Sequence, residues 1–189
     1  DGTVRSWEAN MSRVAIVTDS TSCLPPELVK QYDIRIVPVG LIIDGKAYRD
    51  TELTNDEFWR LFYQAKELPT TSAASPGDFA TTFTELGQTT DSIVCILVSK
   101  ALSATHEAAV QAKELVKSEN PDLKIEVIDS KTSTGALGFI VLEAARAAAE
   151  GKNLTEVVQI AQDMILKVKF LVGMNTLKYL IRIGRAPKT

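Results

Sequence analysis

At 189 residues, with 45% hydrophobic and 24% charged residues, the chain has the composition of an ordinary globular protein large enough for one substantial core. A formal charge of -3 and scattered Lys and Arg provide no basic field, so a phosphate-tracking nucleic-acid surface is not expected. Cys23 and Cys95 are its two cysteines, which points to a reduced, cytoplasmic protein without a disulfide framework.

Residues 1–10 contain no apolar core and precede Met11, so they read as an upstream or expression-derived extension. A strand is expected over 14–18. A helix runs from the Pro25-Pro26 pair to Gln31, because proline suits a first helical turn. The run 34–43 reads as a second strand, with Asp44-Gly45-Lys46 as a hairpin turn and 46–50 returning as a short strand. Thr54 before Asp56-Glu57 caps a helix through Ala65, and Ser75-Pro76 opens another through Leu86. Strands over 93–98 and 123–128 alternate with helices over 102–117, 134–150 and 154–168. This order predicts an α/β fold, a mainly parallel sheet flanked by helices. The longest apolar runs are too short and interrupted to span a bilayer, which leaves at most transient contact with a membrane surface.

Strand-like runs repeatedly end in hydroxyl residues where a helix begins. These are Asp19-Ser20-Thr21-Ser22, Ser99 and Asp129-Ser130, joined by Thr70-Thr71-Ser72, which has no long strand before it. In a parallel α/β sheet the loops at the carboxyl ends of the strands converge on one edge, so the hydroxyls are expected to gather near helix amino termini as an anion site of neutral donors. No matching set of bases, thiols or metal ligands accompanies them, which favours holding a ligand over transforming it and implies neither metal nor cofactor. Each hydroxyl taken singly is equally a cap or turn residue. Asp19 and Asp129 each lack a second carboxylate at ligand spacing and are assigned to capping or loop bracing. His106, the one histidine, is placed on the surface near the pocket, since one His alone makes no Ser-His-Asp set. Gly135 and Gly138, at the start of an Ala-rich helix, permit either close packing or approach to a ligand.

Five segments in order resemble the motifs of the DegV family. They are Asp19-Ser20-Thr21-Ser22-Cys23-Leu24-Pro25; Thr70-Thr71-Ser72-Ala73-Ala74-Ser75-Pro76; Ser99-Lys100-Ala101-Leu102-Ser103-Ala104-Thr105; Val127-Ile128-Asp129-Ser130 with Gly135 and Gly138; and Leu177-Lys178-Tyr179-Leu180 with Gly184-Arg185. The resemblance covers nearly everything from Met11 onward. It implies a fatty-acid-binding protein of two α/β domains, with the acyl tail between the domains and the carboxylate held by hydroxyls. In some members it implies presentation of the lipid to a separate ATP-using fatty acid kinase. Carried onto this chain, it makes Thr71, Ser72 and Ser103 the head-group ligands, with Ser99 and Thr105 lining the same loop and Arg185 beside the acyl head. Ala104 stands where the family usually has Gly, and Ile183-Gly184-Arg185 has one Gly where two are usual.

The same resemblance divides the chain into a lipid-binding domain over 11–165 and the beginning of a second, incomplete domain over 166–189. The expected ligand is one long-chain fatty acid, with no cofactor and no catalytic residue of its own. A stand-alone phosphotransferase or acyl hydrolase using Ser103 or Ser72 as nucleophile is the alternative. It has against it the lack of a Gly-x-Ser-x-Gly elbow and of a visible ATP signature.

Overall fold

The computed structural model describes residues 13–186, so the extension assigned to 1–10 lies outside the described residues. In chain order the elements are β1 (Ala15–Asp19), α1 (Pro26–Gln31), β2 (Arg35–Val37), β3 (Gly40–Ile43), β4 (Lys46–Arg49) and α2 (Asn55–Gln64). They continue with β5 (Thr70–Ser72), α3 (Pro76–Leu86), β6 (Ser92–Leu97), α4 (Thr105–Glu119), β7 (Lys124–Asp129), α5 (Thr134–Ala149), α6 (Leu154–Lys167) and α7 (Lys178–Arg182). Four strands form a parallel sheet in the order β2-β1-β6-β7.

Strand β6 explains how the sheet is buried on both faces. Its residues alternate sides, and all six are buried. Val94 and Ile96 pack with Ile16, Leu137, Ile140 and Val141 under α5 and α6, while Ile93, Cys95 and Leu97 pack with Val17, Phe79, Phe83 and Ala112 under α3 and α4. A near-continuous apolar run is what a central parallel strand covered on both faces requires.

The run 34–43 is two strands rather than one. Pro38 has no amide hydrogen to give a ladder, and the chain turns there: the Val39 amide donates to Ser20 Oγ at 3.0 Å and the Val39 carbonyl accepts the Asp50 amide at 3.1 Å. Beyond the turn, β3 belongs to a separate antiparallel sheet, β4-β3-β5. Its hairpin turns at Asp44 and Gly45, both at positive φ (47° and 79°), the signature of a two-residue turn whose twist suits the strands. Strand β5, which the sequence reads only as a hydroxyl loop, pairs Thr71 with Leu41 and Ser72 with Gly40. Helix α4 starts at Thr105, three residues after the expected position, because Leu102 and Ser103 donate their amides back to the Ser99 carbonyl in a tight turn. Among the described residues no helix is long and apolar enough to cross a membrane.

Candidate functional site

Strands β1 and β6 are neighbours at the centre of the sheet, and the chain leaves them toward opposite edges, β1 to β2 and β6 to β7. Their carboxyl ends therefore form the switch point, where open α/β sheets leave a crevice. A cavity of about 240 Å³ lies there. Thr21 enters it from the short helical turn after β1, Val98, Leu102, Ser103 and Ala104 from the loop after β6, and Ser133 from the amino end of α5. Thr71 and Ser72 reach it from β5, and Arg185 from the segment after α7.

The loop after β1 is built around Asp19. Its carboxylate is fully buried, with Oδ1 accepting the Thr21 amide at 2.9 Å and the Thr21 hydroxyl at 2.5 Å, and Oδ2 accepting the Val98 amide at 2.8 Å. Asp19 thus caps the turn and braces it to the end of β6. Asp129 does the same at the end of β7, accepting the Lys131 amide at 2.9 Å and the Lys100 amide at 3.3 Å.

Of the hydroxyls singled out in the sequence, Thr71, Ser72 and Ser103 line the cavity together with Arg185. Ser99 and Thr105 do not: both are buried behind it. Ser99 Oγ accepts the Ala101 amide at 3.2 Å, and Thr105 Oγ1 shares a hydrogen bond with Ser103 Oγ at 2.8 Å. Thr105 therefore acts on the cavity through Ser103. Ser72 owes its place to Gly40, because a Cβ on Gly40 would stand 2.0 Å from Ser72 Oγ. Arg185 is anchored by its own guanidinium, which donates to the carbonyls of Leu102 (3.1 Å) and Ile183 (2.6 Å).

Two lining hydroxyls escaped the sequence reading as ligand residues. Thr21 sat inside the Asp19-Ser20-Thr21-Ser22 cluster, and the cluster gave no sign of which member faces inward. Ser133 precedes a sixteen-residue helix, yet its hydroxyl does not cap it. The cavity thus lies at the amino ends of α4 and α5, where the helix dipole favours electron-rich groups.

Gly135 and Gly138 separate. A Cβ at Gly138 would meet the Ser22 carbonyl at 2.6 Å, so packing explains this glycine. Gly135 has open space around it, and both glycines border an apolar hollow of about 230 Å³ with Leu24, Leu28 and Phe139. Partial desolvation first, then the negative charges of Asp19 and Asp50, push up the thiol of the exposed Cys23, and burial holds the Cys95 thiol well above its usual range. Neither environment makes a reactive thiolate. Among the described residues no group of three His, Cys, Asp or Glu side chains could hold a metal ion.

Comparison with known proteins agrees with the fold. Residues 13–189 match the family described as "Uncharacterised protein, DegV family". A DegV domain-containing protein of Caldanaerobacter subterraneus subsp. tengcongensis is 38% identical over 180 residues, which are 95% of this chain and 62% of that one. The structure described as "Fatty Acid Binding of a DegV family Protein from Thermus thermophilus" aligns with a TM-score of 0.79 at 30% identity, covering 91% of this chain and 60% of the other. A fatty acid (stearic acid)-binding protein of Eubacterium ventriosum aligns with a TM-score of 0.72 at 29% identity, over 79% of this chain and 52% of its own. The chain thus spans less than two thirds of the length of each relative. With the parallel sheet, the hydroxyl loops at its switch point and a family match along almost all its length, this chain belongs to the DegV family.

Proposed function

We propose that the chain holds one long-chain fatty acid by its carboxyl end, in the cavity at the switch point between β1 and β6. The observation that carries this reading is the convergence of Thr71, Ser72, Ser103 and Arg185, from three separate parts of the chain, on one cavity at two helix amino ends. Thr71, Ser72 and Ser103 hydroxyls hold the head, Thr105 and Ser99 support the loop, and Arg185 lies beside it. The reading is supported by relatives described as fatty-acid-binding proteins.

At about 240 Å³ the cavity is below the roughly 300 Å³ at which pockets for whole drug-sized ligands begin, so it suits a head group rather than a whole lipid. The acyl tail leaves along a neighbouring hollow of about 370 Å³, which shares Thr71 and Arg185, adds the apolar Leu68, Pro69 and Ile183, and carries the charged Glu67 and Arg182 beside them. Residues 11–165 are the lipid-binding domain and 166–189 the start of a second one; Leu171, Leu177 and Ile183 of that segment are exposed apolar residues suited to face a tail.

The protein works in the cytoplasm as a binding protein that presents the carboxyl group to a separate ATP-dependent kinase. A neutral-donor site of this kind leaves a carboxyl oxygen accessible to a phosphoryl donor. It collects its ligand by transient contact with a membrane surface, for which the exposed Trp59 and Tyr63 of α2 provide interfacial aromatics.

Mass spectrometry of an organic extract of the purified protein tests the reading. A fatty acid near one equivalent is expected, and an extract with no fatty acid above that of a control protein removes it. Labelled ATP and fatty acid, incubated with the pure protein, separate binding from a stand-alone phosphotransferase: no acyl phosphate should form without an added kinase.

A further inference from the structure

The hydroxyls of the cavity are not equivalent, because one has its proton committed. Thr21 Oγ1 donates to Asp19 Oδ1 at 2.5 Å, and the Thr21 amide donates to the same oxygen at 2.9 Å. A threonine hydroxyl has one proton and two lone pairs. With that proton on Asp19, the Thr21 hydroxyl has none left to give to the cavity that this residue lines. Thr71 and Ser72 are exposed on β5 and rotate to donate, and a guanidinium such as that of Arg185 can only donate. The cavity therefore has a donor side, formed by β5 and Arg185, and an acceptor side at Thr21.

We propose that Thr21, oriented by Asp19, is a hydrogen-bond acceptor subsite that selects head groups carrying a donor: a carboxyl group bound with its proton, or a primary alcohol. The assignment rests on the acyl-binding reading above and specifies its head group. An ionised carboxylate has acceptors only and would set its lone pairs against those of Thr21, in front of the buried Asp19 carboxylate. A protonated carboxyl group fits both sides, its O–H donating to Thr21 Oγ1 while its carbonyl accepts from Ser72, Thr71 or Arg185. The charged groups around this point are few. Asp19 of β1 lies behind Thr21, and Asp50, in the turn after β4, is close enough to feel the charge of Asp19. Against these two carboxylates stands the exposed Arg185, whose guanidinium already donates to two carbonyls.

Calorimetric titration of wild type, Thr21→Ser and Thr21→Val with hexadecanoic acid, hexadecan-1-ol and methyl hexadecanoate tests the assignment. Wild type and Thr21→Ser should bind the acid and the alcohol alike. Thr21→Val should lose about fivefold or more for both, one hydrogen bond's worth, and leave the ester unchanged. A second measurement needs only wild type: hexadecanoic acid carrying carbon-13 at its carboxyl should titrate, when bound, at a higher pH than the free acid. Equal weakening of all three ligands in Thr21→Val, or a bound carboxyl that titrates below the free acid, overturns the proposal. Binding of the acid that is unchanged in Thr21→Val overturns the Thr21 subsite alone, whereas wild type that binds none of the three overturns the acyl reading together with it.

Discussion

The Asp19 carboxylate accepts the Val98 amide at 2.8 Å, joining the end of β1 to the residue after β6 at the mouth of the cavity. Hydrogen bonds to a charged group contribute more than neutral ones, and a buried amide left without an acceptor is costly. Asp19→Ala should therefore lower stability by roughly 1.5–3 kcal/mol, read as a fall in urea midpoint at unchanged slope. An unchanged midpoint would mean that the bond between the two loops contributes nothing.

Two glycines of α5 should respond in opposite directions to the same change. Alanine is favoured over glycine in a helix by about 1 kcal/mol, and Gly135 has nothing within 4 Å of a would-be Cβ, so Gly135→Ala should hold or raise the melting temperature. At Gly138 the new methyl group would meet the backbone carbonyl of Ser22 at 2.6 Å and Leu24 at 3.4 Å. The 3₁₀ turn at Ser20–Ser22 or the helix must shift, so Gly138→Ala should cost about 1–3 kcal/mol despite the better propensity. Equal melting temperatures for the two variants would show that the turn yields freely.

The parallel sheet was legible because its signal is local. Ile93 to Val98 is apolar at every position, and such a run between turn residues has few uses other than a strand covered on both faces. Strand β5 was not legible: Thr70, Thr71 and Ser72 show no apolar alternation, and their extended form is set by pairing with β3, residues 40–42, far back in the chain. The site divides along the same line. Hydroxyls at strand ends could be read as a group, since topology brings all such ends to one edge. Which of them face the cavity could not, because that depends on partners chosen in three dimensions. Thr105 turns inward to Ser103, Ser99 is consumed by its own turn, and Thr21 and Ser133 line the cavity through the brace at Asp19 and the start of α5.

Asp50 predicts a pH dependence. Burial raises its carboxyl above the ordinary value, and the charge of Asp19 adds to the rise, outweighing the nearby Ser20 hydroxyl and the Thr51 and Val39 amides, which favour the charged form. One of its oxygens is buried without a partner. The folded chain therefore keeps this proton to higher pH than the unfolded chain, and stability falls as pH rises from about 3.9, the unfolded value, through the raised folded value. Asp50→Asn removes the ionisation, so the variant should lose this fall and gain on wild type between pH 4 and 7. Parallel stability curves for the two proteins across that range would assign Asp50 no unfavourable charge in the folded state.

Ser103 and Thr105 should behave as one unit in ligand binding. Ser103 lines the cavity, and its Oγ is 2.8 Å from the buried Thr105 Oγ1 and accepts the Thr105 amide at 3.3 Å. Ser103→Ala removes a head-group contact and should weaken fatty acid binding by roughly 0.5–3 kcal/mol while leaving the fold intact. Thr105→Val is nearly isosteric and never reaches the cavity, yet it frees the Ser103 hydroxyl to rotate, so it should weaken binding too, by a smaller amount. Once Ser103 is Ala, the second change has no hydroxyl left to orient. The double variant should therefore bind like Ser103→Ala alone, a coupling within the range of about 0.5–3 kcal/mol seen for contacting residues. Full additivity of the two losses would show that Thr105 acts on packing rather than on the direction of the Ser103 hydroxyl, and no loss in either variant would remove this loop from the head-group site.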